Sequence, residues 1–308
     1  MTKTLFALML AMAASAAQAS DPDRLDMGWF KDQKLAMATP PQAAPQQTAQ
    51  TPPSTSTSPA TTERPADQLL RALVSGKVSV DEERRIGDKI AGNFLGAVKL
   101  VPNDGLQHYV NLVGRWVALQ SERPDLPWRF GVVDSDDINA FAAPGGYVFV
   151  TKGLYRRLAN EADLAGVLGH EIGHVIRKHQ IKVMQKSKVI ALAAGLLGKQ
   201  IKDENQLIQN LVGNGAEIMS RSLDKEAEFE ADRVGMVLAA RAGYDAYALP
   251  KVLEDIGHVS DQDSRVALLF KTHPRPSDRF DRLAEAVGER LDNLPEGKSL
   301  DQRFYRLH

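Results

Sequence analysis

The chain contains no cysteine at all. That excludes a disulfide framework, and it leaves no thiol for lipid attachment near the N-terminus. It also lacks an excess of either charge: 38 basic residues against 39 acidic ones leave a formal charge of −1, with no basic stripe to meet a nucleic acid. No apolar run is long enough for a good membrane span, since Leu5–Ala17 and Val189–Leu197 both fall well short of about 20 residues. Histidine is scarce too, with seven in the chain, so each can be weighed individually.

Residues 1–19 read as a secretory signal peptide, with Lys3, the apolar run Leu5–Ala17, and Ala17-Gln18-Ala19 as a cleavage site before Ser20. An uncleaved anchor is the weaker alternative. A cleaved leader predicts a periplasmic or secreted protein. Residues 20–66 read as a disordered Pro/Thr/Ala/Gln-rich linker, because 38–62 carry neither charge nor apolar periodicity. The folded domain is then expected at 67–290, with 291–308 as a C-terminal tail.

Within that domain Ser79-Val80-Asp81-Glu82 forms a capping box opening a helix to about Ala97. Pro102-Asn103-Asp104-Gly105 breaks it, and a second helix follows to about Leu119. Trp128–Val133, Ile138–Ala142 and Tyr147–Thr151 read as short strands, the last two joined by the turn Pro144-Gly145-Gly146. Helices are predicted at 161–186, 224–242, Pro250–Val259 and Pro276–Arg290. The fold class is therefore α+β, mainly helical with a small antiparallel sheet. Val189–Leu197 fits either core or a surface that meets a membrane or a substrate.

The chemistry concentrates in His170-Glu171-Ile172-Gly173-His174. Two imidazoles four residues apart lie about 40° apart on one helix face, one turn above each other, and can reach a single metal ion. A glutamate beside the first can accept a proton from water at that ion, as in zinc peptidases. The helix has a credible start, with Asn160 as cap and Asp163 at the capping-box position. Gly166, Gly169 and Gly173 form a stripe next to the histidines, and Val167, Leu168, Ile172, Val175 and Ile176 cover most of the rest. A helix apolar on so many sides is buried.

A catalytic zinc takes three protein ligands. His179 follows His174 by five residues, about 140° round a continuous helix, and cannot join the same ion. His108, His258 and His308 have no supporting pattern. In the acidic run 224–232, Glu228 and Asp232 share a helix face with Ala231, Gly235 and Ala239. Packing this small stripe on the glycine stripe would bring Glu228 to the metal and set Asp232 behind a ligating histidine, holding its other ring nitrogen. Glu226 and Glu230 fall on another side and read as solvated.

These residues resemble the zinc endopeptidases that include the CaaX prenyl protease, the HtpX heat-shock protease and the periplasmic BepA-type proteases, a zincin-like group. Its H-E-x-x-H and E-x-x-x-D are matched by His170–His174 and Glu228–Asp232. Its T-H-P and following arginine are matched by Thr272-His273-Pro274 and Arg279. Its N-A-F-x-x-P-G-G is matched by Asn139-Ala140-Phe141 and Pro144-Gly145-Gly146. The resemblance spans about residues 80–290. It implies one Zn2+ per chain, held by His170, His174 and Glu228, with Glu171 as general base. It also implies His273, with Arg279, near the tetrahedral intermediate, or else His273 as a fourth ligand that blocks the metal. Two features of relatives are missing: a transmembrane helix and an evident helical-repeat domain.

The expected function is a zinc endopeptidase in envelope protein quality control, with protein or peptide substrates and no nucleic acid. Peripheral contact with the membrane or with envelope proteins is a further expectation. Substrate would lie extended along Asn139–Ala142, although that segment equally suits a plain edge strand. A chaperone or assembly factor with a closed or structural zinc is the alternative. A cell-wall amidase is the third possibility.

Overall fold

The computed structural model describes residues 77–193, 224–260, 262–287 and 297–307. The expected leader and linker lie outside them, as do the side chains of the apolar stretch 189–197. Among the described residues no helix is long and apolar enough to cross a membrane.

Local signals in the sequence build the first half directly. Helix α1, Val80–Ala97, opens on the full capping box, in which Ser79 accepts from Glu82 N and Glu82 accepts from Ser79 N at 2.8 Å. Its buried face carries Ile86, Ile90 and Phe94. Helix α2, Asp104–Ala118, is capped by Asn103, which accepts from Leu106 N at 3.0 Å. Strands β1 (Arg129–Val133), β2 (Ala140–Ala143) and β3 (Tyr147–Thr151) form a sheet in the order β1-β3-β2. Gly145 and Gly146 turn between β2 and β3 with φ of +79° and +100°, a conformation that suits glycine.

The sheet is mixed where an antiparallel one was expected: β3 runs antiparallel to β2 but parallel to β1. On the outer edge of β1, α2 supplies side-chain amides beside a backbone bridge from Leu100 to Val133. Gln107 accepts from Val132 N and donates to Val132 O, both at 2.9 Å, and Asn111 does the same for Phe130.

After the single turn α3 (Lys152–Tyr155) comes the central helix α4, Glu161–Ile176, every residue of which is buried. Asn160 caps it by accepting from Asp163 N at 2.8 Å, while Asp163 accepts from Ala159 N at 2.8 Å. The predicted helix 161–186 is in fact two helices. Chain direction changes at Lys178, whose φ is +56°, and α5 then runs His179–Ala193. A left-handed lysine costs about 1–2 kcal/mol. It is offset here by the Lys178 ammonium, which reaches the buried Glu83 at 3.2 Å, where Arg123 already makes a two-pronged bond.

Helix α6, Lys225–Arg241, packs along α4 through the two small-residue stripes. A methyl group added at Gly169 would stand 2.8 Å from the Gly235 carbonyl, and one at Gly235 would stand 2.7 Å from His170 N. No side chain fits between these backbones, which explains why α4 tolerates glycines that weaken a helix. Helix α7 (Ala248–Gly257), a 3-10 turn (Ser264–Val266), α8 (Ala267–Thr272) and α9 (Pro276–Val287) complete this side. Residues 297–307 lie on the domain: Lys298 bridges to Tyr244, Phe304 is buried, and the Tyr155 hydroxyl donates to Tyr305 O at 2.6 Å.

Candidate metal centre

Helices α4 and α6 and the end of α8 aim four potential ligand atoms at one buried point. His170, His174, Glu228 and His273 each offer an atom within 4.8 Å of the others. His170 Nε2 and His174 Nε2 are 3.0 Å apart. Glu228 faces them at 3.7 Å and 3.5 Å, and its Oε2 lies 3.7 Å from His273 Nε2. Ligands about 2.0–2.2 Å from a tetrahedral zinc stand about 3.3–3.6 Å from each other. The observed spacings bracket that range.

The donor chemistry fits a divalent cation equally well. Both Glu228 oxygens are buried, and neither has a hydrogen-bond partner among the described residues. Burial pushes the Glu228 carboxyl well above its usual range. Burial also pushes His174 and His273 well below theirs, which favours the neutral imidazole that a metal requires. A buried carboxylate facing neutral imidazoles, with both lone-pair sets unused, matches a cation site.

His170 is oriented from behind. Its Nδ1 lies 2.8 Å from Asp232 Oδ1, which leaves Nε2 free to face the centre. Asp232 is held in turn by Arg279, whose Nε donates to Oδ2 at 2.8 Å and whose Nη2 donates to Oδ1. Burial alone would raise the Asp232 carboxyl, but the Arg279 charge and hydrogen bonds outweigh it and hold it low. Arg279 Nη2 also stands 3.3 Å from His170 Nδ1, and the shorter contact to Asp232 sets the ring proton on Nδ1. On His273, Thr272 Oγ1 meets Nδ1 at 2.9 Å and likewise turns Nε2 inward.

Glu171 follows His170 into an apolar cleft shared with Ala140, Leu249, Val252, Leu269 and Phe270. Burial pushes it up to about 8, against the pull of Arg279. Of the predicted substrate strand, Ala140 lines this cleft, Phe141 packs its ring on Phe94 at 4.2 Å, and Asn139 is buried at the hinge with Thr151. His108 and His258 are exposed, and His308 lies outside the described residues.

Two residues set aside on sequence grounds stand next to the centre. His179 does not enter the ligand group, but its Nδ1 meets His174 Nδ1 at 2.9 Å. Its Nε2 meets Glu230 Oε2 at 3.2 Å, so Glu230 is engaged and not merely solvated. The turn at Lys178 makes this possible, and no glycine or proline marks that turn in the sequence.

The chain is similar to known proteins. The beta-barrel assembly-enhancing protease of Yersinia pestis is 28% identical over 253 residues, covering 79% of this chain and 52% of that protein. Its counterpart in Escherichia coli K12 is 30% identical over 237 residues, covering 74% and 48%. The mitochondrial metalloendopeptidase OMA1 of Arabidopsis thaliana is 29% identical over 170 residues, covering 55% and 33%. The chain thus spans about half the length of the first two relatives. The model of peptidase family M48 matches residues 105–287, a stretch that holds all four ligand candidates, Glu171, Asp232 and Arg279, and the chain belongs to that family.

Proposed function

We propose that this chain is a zinc-dependent endopeptidase, one Zn2+ per chain, with His170, His174 and Glu228 as protein ligands. The observation that carries this reading is Glu228, whose two buried oxygens lack any hydrogen bond while facing two imidazole nitrogens. Zinc in that position supplies Lewis-acid polarisation of a peptide carbonyl and lowers the pKa of water at the site to about 7. Glu171 is the general base: buried at the cleft and pushed up to about 8, it can take a proton and return it to the leaving nitrogen. Arg279 and Asp232 hold His170 in the tautomer that frees Nε2. His273 is the candidate donor to the developing oxyanion, a role that needs its ring proton on Nε2 and hence a Thr272 hydroxyl that donates to Nδ1.

Substrate main chain would pair with β2, through Asn139, Ala140 and Phe141. The far edge of β1 is taken by Gln107 and Asn111, whereas no described strand pairs with the outer edge of β2. Thr151 N donates to Asn139 O, so strand alternation turns the N–H and C=O of Ala140 and Ala142 away from β3. Such binding reads little side-chain identity and suits unfolded proteins. The leader-like residues 1–19 and the named role of the enterobacterial relatives in beta-barrel assembly support periplasmic envelope proteins as substrates.

Glu171→Gln tests the mechanism. It should retain zinc while casein cleavage falls about 10²–10⁴-fold, and undiminished cleavage would remove Glu171 as base. A second reading, a closed zinc centre in a latent enzyme or chaperone, is favoured by one observation: His273 belongs to the same four-atom group. His273→Ala separates the two, since lost activity supports an oxyanion donor and gained activity supports a blocking ligand. Unchanged activity would take His273 out of the site.

A further inference from the structure

The two histidines of α4 are supported from behind by different means. His170 leans on Asp232 and Arg279, all three buried. His174 has no carboxylate at its Nδ1; it has the ring of His179, which lies 2.9 Å away and is itself only 2% exposed. Behind that ring stands Glu230, 3.2 Å from His179 Nε2 and 3.0 Å from Arg177 Nε.

We infer that His179 and Glu230 form a hydrogen-bonded relay that positions His174 and fixes its tautomer for the metal. The inference rests on the metal-centre reading above. Its logic runs inward from the carboxylate. Glu230 can only accept, so the proton of neutral His179 resides on Nε2, and His179 Nδ1 is left as an acceptor. His174 must then donate from Nδ1, which leaves the Nε2 lone pair directed at Glu228 and His170. No other assignment satisfies both contacts with two neutral rings. The Arg177 guanidinium stands 3.0 Å from the other Glu230 oxygen, an ion pair that favours the charged carboxylate there. The relay depends on the break at Lys178, because a continuous helix would carry His179 about 140° away from His174. The left-handed turn therefore places a positioning residue against the second histidine.

Partners behind a ligating histidine are commonly worth about 10–100-fold in metal affinity. The test uses the full chain, with zinc affinity measured by competition against a chromophoric chelator. His179→Phe keeps a ring but removes the acceptor, and should weaken zinc by about that factor. His179→Gln retains an acceptor and should recover part of the loss, a rescue that a mere packing role would not give. In the cobalt-loaded protein, His179→Phe should also shift the visible d–d bands. Glu230→Ala, at a half-exposed position, provides the answer if a His179 variant fails to fold. It should weaken zinc, whereas Glu226→Ala on the same helix should not, since Glu226 pairs outward with Arg282. Wild-type affinity in both His179→Phe and Glu230→Ala overturns the relay, as does an equal loss in Glu226→Ala. A wild-type chain that binds no zinc overturns the metal centre itself, and the relay with it.

Discussion

Glu161 and Glu228 are the same residue at the same burial, each fully enclosed, and they are treated in opposite ways. Glu161, the first residue of α4, accepts from the hydroxyls of Tyr109 and Tyr244 at 3.0 and 2.9 Å, and Arg303 faces it at 3.1 Å. Burial first, and then the Glu161 charge, push both phenols upward, so both remain protonated donors. Glu83 repeats the pattern, with Arg123, Lys178 and Gly145 N around it. The Glu228 carboxylate has no hydrogen-bond partner among the described residues. Several kcal/mol attend an unpaired buried carboxylate. Glu83 and Glu161 are thus surrounded by donors, whereas the Glu228 carboxylate stands bare among the described residues, which supports its proposed role toward a cation.

The comparison breaks most sharply under alanine at each position. Glu228→Ala should lose zinc and proteolysis altogether, yet without zinc it should melt at or above the wild-type temperature, because a costly buried group has gone. Glu161→Ala should do the reverse, keeping zinc but losing about 3–5 kcal/mol of stability by removing the acceptor shared by the buried Tyr244 hydroxyl, the partly buried Tyr109 hydroxyl and Arg303. At about 2–4 °C per kcal/mol for a domain of this size, the melting point would fall by about 6–20 °C. Calorimetry with and without zinc reads both outcomes. A metal-free Glu228→Ala protein that melts far below wild type would mean that Glu228 is a structural carboxylate like Glu161.

What the sequence could disclose follows the range of the interaction concerned. His170 and His174 are readable because helical periodicity fixes their relation within one turn. Glu228 and Asp232 are readable because small residues advertise a close helix contact, and Gly169 against Gly235 is that contact. The capping residues Ser79, Asn103 and Asn160 act within three residues of themselves. The helix break at Lys178 is different, since the partner of the Lys178 ammonium, Glu83, lies on a distant helix. Because no local signal marks that break, the sequence gives no sign that His179 meets both His174 and Glu230. The parallel pairing of β1 was hidden likewise, since strand order rests on contacts between residues distant in the chain. Helix α8, which delivers His273, is six residues long and carries little periodicity.

The smallest of the three expected effects is also the most discriminating. Tyr244→Phe removes one donor from Glu161 and leaves Tyr109 and Arg303 in place. A hydrogen bond to a charged group contributes about 1.5–3 kcal/mol, so the variant should unfold more easily by about that amount. Its zinc affinity should not change. Glu161 and His170 lie on one helix, and a rise of 1.5 Å per residue separates them by about 14 Å along its axis. If α4 behaved as a lever, loosening its first turn would tilt both ligating imidazoles, and zinc would bind more weakly. The helix is instead gripped along its length, by Gly235 at Gly169 and by Ala231 at Gly173, with backbones too close to slide. Stability lost at one end with metal affinity intact at the other would show that the two glutamates serve separate purposes on one rigid element. A parallel loss of both would show that the carboxylate cage at the start of α4 also sets the geometry of the metal centre.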